Sequence, residues 1–296
     1  MAETAPDDRE IAPRVDGPAW RIADRTLALE RPLCVGIVNV TDDSFFSGAR
    51  SGTPERAVED GLGLVSAGFE MLDVGAVAAR SGPPVAGADE AARLVPAVEG
   101  LCGRAGVPVS ADTFSPFVAE LAMDAGAAAI NDIGGGTDPA MLELVADRGC
   151  GLVVMHIEGP PRRDREPPSY ADPVEHLRGW FADRIEAALS RGVDEEQLAL
   201  DPGLDFDLSV DDDLEILRRL DELADLGRPL FVSLSRKDFL GAVLAGSWKR
   251  RAPARDRGPA TIAAATLAVA AGAQLLRLHD RQALDAVRFA ERVVDG

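Results

Sequence analysis

The sequence of 296 residues predicts an α/β protein, a single-domain (β/α)8 or TIM barrel with a short N-terminal hairpin. Eight short apolar runs recur along the chain, and each has a polar residue at or near its end. Helical stretches with repeated start and stop signals lie between these runs. The first run leads into NVTDDSFFSG, which lacks the G-x-G-x-x-G phosphate loop of an open, doubly wound sheet. The closed barrel is therefore favoured over the open sheet.

The chain begins with a polar segment that differs from the rest. Residues 1–18 are rich in Pro, Asp, Glu and Ala and lack periodicity, so we expect a disordered acidic tail. The barrel is expected over residues 19–296. At its start, WRIADRTLALE partly alternates apolar and polar residues around Asp24, which predicts a hairpin between Trp20 and Glu30.

The eight apolar runs have the length of strands that are buried on both faces, as in a parallel sheet. In chain order they are LCVGIVN (33–39), EMLDVG (70–75), VPVSAD (107–112), AAAIND (127–132), GLVVMH (151–156), QLALDP (197–202), PLFVSLS (229–235) and QLLRLH (274–279).

Four helices are predicted by their end signals. A Thr, Ser or Asp that can cap the helix precedes Pro at the first helical position, and Gly follows the last turn. These helices run from Thr53 to Gly68, from Ser115 to Gly126, from Asp138 to Gly149 and from Asp172 to Gly192. The loops at 157–171 and 245–259 are expected to depart most from a minimal barrel.

The amino-acid composition argues against some classes of binding partner. There are 31 basic and 50 acidic residues, for a net charge of −19, which argues against a nucleic-acid or polybasic membrane partner. No apolar run approaches a membrane span, and the acidic N-terminus does not resemble a signal peptide. Cys34, Cys102 and Cys150 are odd in number and stand in apolar contexts, which predicts reduced thiols and a cytoplasmic location.

A barrel brings the carboxyl ends of its strands to one ring, here called the C-terminal rim, which carries the active site. Asp112, Asn131, Asp201 and Lys237 offer donors and acceptors suited to a flat heterocycle with an amide edge. Lys237 is one of only two lysines in the chain. Two cationic side chains and an amide oxygen at the rim would suit a phosphate group with Mg²⁺. They are Arg277, His279 and Asn39.

Several polar residues near the rim also have purely structural interpretations. Asp73 and Asp132 are the acidic residues for which a turn or capping role is favoured. His156 is expected to be a hydrogen-bonded rim histidine, and His176 is expected on a helix surface. The run 211–213, three aspartates, is expected to be the solvated first turn of a helix. Met155 and Phe206 suit either the core or the apolar walls of a ring pocket.

Six segments together show a family resemblance. They stand in order at strand ends and are GIVNVTDDSF, INDIGGG, VVMHIEG, LDPGLDF, LSRKDFLG and LLRLHD. In this order they resemble the dihydropteroate synthases. The resemblance implies a pterin-binding (β/α)8 barrel, usually a homodimer. It also implies a reaction that joins 4-aminobenzoate to 6-hydroxymethyl-dihydropterin pyrophosphate and releases pyrophosphate with the help of Mg²⁺.

The resemblance also implies roles for individual residues. Asn39 would ligate Mg²⁺, and Arg277 with His279 would bind the pyrophosphate. Arg80 and Asp238 would lie near the pyrophosphate or the second substrate. The catalytic set implied is Lys237, Asp201, Arg277 and His279. The pterin ring would be held by Asp112, Asn131, Met155, Asp201, Phe206 and Lys237.

The sequence departs from the family pattern in its loops. After the second strand, AVAARSG replaces the usual Gly-Gly-Glu-Ser-Thr-Arg-Pro-Gly, so that Ala79 stands in place of a threonine. Ser47 replaces an aspartate, and Asp238 stands where serine is frequent. In that position the carboxylate of Asp238 would repel the carboxylate of 4-aminobenzoate, unless it points to solvent or pairs with an arginine. Two alternatives therefore stay open: a related enzyme with another acceptor, and a pterin-binding protein without turnover. The related methyltetrahydrofolate-corrinoid methyltransferases are disfavoured by the NVT…DSF and RLHD segments.

Overall fold

The computed structural model describes residues 18–40, 51–79, 82–163 and 167–294. It begins with an antiparallel hairpin of β1 (Ala19–Ile22) and β2 (Arg25–Ala28), as the sequence predicts. The predicted acidic tail, up to residue 17, lies outside the described residues.

All eight predicted barrel strands are present. They are β3 (Leu33–Asn39), β4 (Met71–Gly75), β5 (Val109–Asp112), β6 (Ala129–Asp132), β7 (Gly151–Met155), β8 (Leu198–Asp201), β9 (Phe231–Ser233) and β10 (Leu275–Leu278). Seven parallel pairings give the order β8-β7-β6-β5-β4-β3-β10-β9. A parallel bridge between Leu200 and Leu230 joins β8 to the start of β9 and completes the barrel.

Nine helices lie in the part of the chain that the structure describes. They are α1 (Pro54–Ala67), α2 (Gly87–Arg104), α3 (Pro116–Asp124), α4 (Pro139–Arg148), α5 (Pro173–Ser190), α6 (Val210–Arg218), α7 (Asp238–Ala245), α8 (Gly258–Ala270) and α9 (Arg281–Val294). None of these helices is long and apolar enough to cross a membrane.

The four predicted helix starts are confirmed. The side chains of Thr53, Ser115, Asp138 and Asp172 accept backbone N–H groups of the first turns of α1, α3, α4 and α5. Gly68 and Gly149 end α1 and α4 in the left-handed conformation, also as predicted. In α3 and α5 the predicted glycine comes one residue after the cap, because Ala125 and Arg191 close the last turn without a positive φ.

The hairpin closes the amino-terminal end of the barrel. Trp20 and Ile22 are fully buried in an interior cluster with residues such as Val35, Met71 and Phe231. The indole N–H of Trp20 donates to the carbonyl of Gln197 at 2.7 Å. Because this end is filled in the part of the chain that the structure describes, we expect the ligand site at the C-terminal rim, where the loops after the strands meet.

Candidate active site

A pocket lies at the C-terminal rim, and nine of the residues predicted from the sequence line it. They are Asn39, Asp112, Asn131, Met155, Asp201, Phe206, Lys237, Arg277 and His279. Residues that are far apart in sequence meet here because each follows or ends a barrel strand. Arg80 and Ser47 lie outside the described residues. Asp238 is not among the residues that line the pocket.

Asp73 lies beneath the pocket and is held by three hydrogen bonds. Its fully buried carboxylate accepts hydrogen bonds from the hydroxyl of Ser110 at 2.6 Å, the amide of Asn131 at 3.1 Å and the Nε of Arg277 at 2.6 Å. Such a set of donors compensates a carboxylate removed from water. Asp73 therefore positions two pocket residues, a role that goes beyond the local one expected. Its place inside a continuous apolar strand was the available signal, since charged residues are rarely buried without partners.

Arg277 connects Asp73 to the pocket. Its Nη2 donates to Oδ2 of Asp112 at 2.8 Å while its Nε is held by Asp73. Burial raises the pKa of Asp112 to about 7, although the Arg277 guanidinium opposes this shift. The guanidinium thus lies between two carboxylates at the pocket floor, and its position is fixed on both sides.

Asn131 and Asp201 present acceptors to the pocket. Oδ1 of Asn131 is buried and has no hydrogen-bond partner among the described residues. Oδ1 of Asp201 accepts the backbone N–H of Gly203 at 2.8 Å. Burial raises the pKa of Asp201, whereas Lys237 and the Gly203 N–H lower it. An unpartnered buried amide oxygen indicates a ligand donor at this point, because such groups are costly when unpaired.

Lys237 enters the pocket from the start of α7. Its Nζ donates to the carbonyl of Leu204 at 2.5 Å and lies 5.0 Å from the centre of the Phe206 ring. Burial lowers the pKa of its ammonium, and the nearby carboxylates of Asp201 and Asp205 oppose that shift. A cation is thus held beside Asp201 and an aromatic ring.

Asp205 links the loop after β8 to α7. Its carboxylate accepts the backbone N–H groups of Asp238 and Phe239, the latter at 2.8 Å, and so caps α7. Its own N–H donates to Asp213 at 2.9 Å. Asp213 is 1% exposed, so the expectation of a wholly solvated run at 211–213 is wrong for this residue. The cause is its inward position in the first turn of α6, where it receives the N–H of Asp205.

Asp238 is turned away from the pocket. Its carboxylate is 2% exposed and lies 2.7 Å from Nη1 of Arg257 and 2.9 Å from Nε of Arg251. Nη1 of Arg257 also donates to the carbonyl of Arg236 at 2.8 Å. The negative charge that the sequence places near the second substrate is therefore neutralised by arginines on the loop before α8.

His279 lies among cationic neighbours. Burial, together with Arg277 and Arg236, lowers the pKa of its imidazole to about 3, so it is neutral at physiological pH. The expectation of a cationic His279 is corrected accordingly. Positive charge at this end of the pocket comes from Arg277 and from Arg236, whose Nη2 is held by Asp280 at 2.7 Å. Arg236 was not identified from the sequence.

Apolar side chains form one wall of the pocket. Met155 packs in a small cluster with Ile133 and Ile157, and Phe206 and Ala79 contact it. Met155, Phe206 and Ala79 all line the pocket as well, so they form an apolar wall of it. Asp132, in contrast, accepts the N–H groups of Gly134 at 2.7 Å and Gly136 at 2.9 Å and shapes a turn, as expected.

A (β/α)8 barrel with carboxylates, an amide and a lysine converging on an apolar-walled rim pocket defines a pterin-binding enzyme, and the family described as Pterin binding enzyme matches residues 35–279. A dihydropteroate synthase of Mycobacterium leprae is 38% identical over 262 residues, covering 86% of this chain and 90% of the relative. The chain therefore belongs to the dihydropteroate synthase family.

Solved structures agree with this assignment. A Xanthomonas albilineans dihydropteroate synthase with 4-aminobenzoic acid has a TM-score of 0.83 and 38% identity, covering 94% of this chain and 98% of that one. The same organism's enzyme in complex with 7,8-dihydropteroate has a TM-score of 0.79 and 36% identity, covering 94% of this chain and 98% of that one.

Proposed function

We propose that the protein is a dihydropteroate synthase. It joins 4-aminobenzoate to 6-hydroxymethyl-7,8-dihydropterin pyrophosphate and yields 7,8-dihydropteroate and pyrophosphate. The observation that carries the proposal is the convergence of Asp112, Asn131, Asp201 and Lys237 on one buried pocket. The relatives with 4-aminobenzoic acid and 7,8-dihydropteroate support both substrate classes.

The pocket suits the edge of a pterin ring. A pterin presents an exocyclic amino group and a ring N–H side by side, and one carboxylate accepts both. Asp201 supplies that carboxylate, and the unpartnered oxygen of Asn131 accepts a further donor. Lys237 donates to a ring acceptor, while Met155 and Phe206 cover the ring faces.

The leaving group belongs at the cationic end of the pocket. The C–O bond to pyrophosphate breaks with its electrons on oxygen, the amine nitrogen bonds to the methylene carbon, and the amine loses a proton. Arg277, held by Asp73 and Asp112, stabilises the developing negative charge without rearrangement. Neutral His279 contributes a hydrogen bond rather than a charge.

Mg²⁺ fits the donor set of this pocket. Asn39 ends β3 and lines the pocket, and its side chain includes an amide oxygen, which is a hard donor. Mg²⁺ usually takes one or two protein oxygens and completes its shell with phosphate oxygens and water. When bound, the ion would supply positive charge to the pyrophosphate. Asn39 is the residue that we propose holds it.

We also propose a homodimer and a cytoplasmic location. The outer surface of α7, α8 and α9 exposes the large apolar side chains of Val243, Leu267 and Phe289, at 49%, 58% and 69%. Exposed apolar groups of this size on adjacent helices favour a partner surface. The three cysteines carry free thiols, which supports a reducing compartment.

The first test is pyrophosphate release from 6-hydroxymethyl-7,8-dihydropterin pyrophosphate with Mg²⁺, measured with and without 4-aminobenzoate. Release that depends on 4-aminobenzoate, with dihydropteroate formed, is the expected result. Pterin binding without such release would contradict the proposal and support a pterin-binding protein that uses another acceptor or has no turnover.

A further inference from the structure

A second group of ligand-type side chains lies outside the pterin pocket. His156 follows β7, Glu158 lies two residues further on in the same loop, and His176 lies in the first turn of α5. One ligand atom from each lies within 4.8 Å of the other two. None of the three lines the proposed active site.

His156 is the unusual member of this group. Its side chain is fully buried, and neither ring nitrogen has a hydrogen-bond partner in the part of the chain that the structure describes. The nearest acidic oxygen is Oε1 of Glu158, 3.5 Å from Nε2, which is long for a hydrogen bond. A buried imidazole without partners is costly unless another group binds it.

The three side chains have the geometry of metal ligands. Oε1 of Glu158 lies 2.7 Å from Nε2 of His176 and 3.5 Å from Nε2 of His156. An ion bonded at about 2.0–2.1 Å to two imidazole nitrogens and a carboxylate oxygen in tetrahedral array separates its ligand atoms by roughly 3.4 Å. These two spacings bracket this value, and the ligand nitrogen atoms of His156 and His176 lie within 4.8 Å of each other.

Aromatic rings border this group of side chains. The ring centroid of Trp180 lies 5.1 Å from that of His156, and the ring centroid of Tyr170 lies 4.4 Å from that of His176.

We propose that His156, Glu158 and His176 bind a divalent transition-metal ion of the zinc class. Two imidazoles and one carboxylate select such an ion over Mg²⁺ and Ca²⁺, which prefer oxygen ligands. The ion joins the loop after β7 to α5. That loop begins immediately after Met155, a wall of the pterin pocket, and the N–H of His156 donates to the carbonyl of Asp201 at 2.8 Å. The metal is therefore a structural clamp behind the pterin pocket.

The test is titration of the full chain with ZnCl₂, without substrates, by isothermal calorimetry and thermal unfolding. We expect one ion per chain and a rise in Tm on the order of 5 °C at zinc concentrations 100 times Kd. Glu158→Gln and His176→Gln each weaken binding at least about 100-fold, since even changes to outer-sphere partners cost about 10–100-fold. Circular dichroism without zinc shows whether these variants fold.

Two matched variants serve as controls. Glu175→Gln alters the neighbour of His176 on the exposed side of α5, and His279→Gln removes the third histidine of the chain. Both retain zinc binding under the proposal. X-ray absorption of the zinc-loaded protein shows only nitrogen and oxygen ligands at about 2.0–2.1 Å. Equal affinity in all variants, a sulfur shell at about 2.3 Å, or no binding by the parent chain would overturn the proposal.

Discussion

At the scale of single residues, the role of a polar side chain depends on what faces it across the strands. Asp73 and Asp132 both belong to apolar strands and both suggested turn or capping roles. The structure gives Asp132 two turn amides and gives Asp73 a guanidinium from β10. The strand pattern predicts that both are buried. It does not predict which partners they meet, because that depends on the register of neighbouring strands and on side-chain directions.

Asp201 provides a direct test of pterin recognition. Asp201→Asn replaces a carboxylate, which only accepts hydrogen bonds, by an amide. The NH2 group of the amide would face one of the N–H donors of the pterin ring. We expect pterin affinity to fall roughly 10- to 100-fold, the effect of losing one hydrogen bond to a charged group. Calorimetry with a pterin ligand measures it, and Asp211→Asn, on the exposed start of α6, is the matched control. Unchanged affinity would remove Asp201 from the recognition edge.

Asp238 tests the position of a charge that sequence comparison places near the second substrate. Asp238→Ser leaves buried Arg257 without its carboxylate, so the free energy of unfolding should fall by about 3–5 kcal/mol. The KM for 4-aminobenzoate should not decrease, since the carboxylate faces away from the pocket. Asp256→Ser, which alters an exposed ion pair, should cost less than about 1 kcal/mol. A lower KM in the Asp238 variant would place its carboxylate in the substrate site.

At the scale of elements, the residues at helix ends were the most reliable predictors of where helices begin. Helices with a Ser, Thr or Asp before Pro begin where the sequence indicates, because the cap depends on local hydrogen bonds. α2 follows Ala86, which makes no side-chain cap, so its start has no such local signal. It is held instead by packing: Leu94 and Leu101 are fully buried against the barrel. Helices formed by tertiary contacts are the ones that local patterns miss.

The N-terminal hairpin is predicted to stabilise the whole barrel. Trp20→Ala removes a fully buried indole and its hydrogen bond to Gln197, which should lower the free energy of unfolding by about 3–5 kcal/mol. Urea unfolding followed by circular dichroism measures the change. Trp248→Ala, at a site that is 41% exposed, should have a much smaller effect. Equal effects of the two substitutions would show that the hairpin is not part of the core.

At the scale of the whole molecule, His279 links the pocket to global stability. The pKa of its imidazole is about 3 in the folded protein, against an ordinary value of 6.5. Between these two pH values the unfolded chain binds more protons, so the free energy of unfolding decreases as the pH is lowered. Between pH 7 and pH 5 this loss should be about 2 kcal/mol. Asp112, whose pKa is raised to about 7, acts in the opposite direction. The comparison with His279→Gln isolates the histidine, since that variant should lack this loss; identical pH profiles would contradict it.

The closure of the barrel has a consequence for ligand binding. In the described part of the chain, β8 and β9 meet through the single Leu200–Leu230 bridge, with the N–H of Leu200 donating to Pro229 at 2.9 Å. The seam between β8 and β9 therefore has the fewest backbone contacts between neighbouring strands of the barrel. Asp201 ends the strand on one side of this seam, and Lys237 follows the strand on the other side. A ligand that binds both residues would connect the two strands across the seam, so ligand binding should also stabilise the closed barrel.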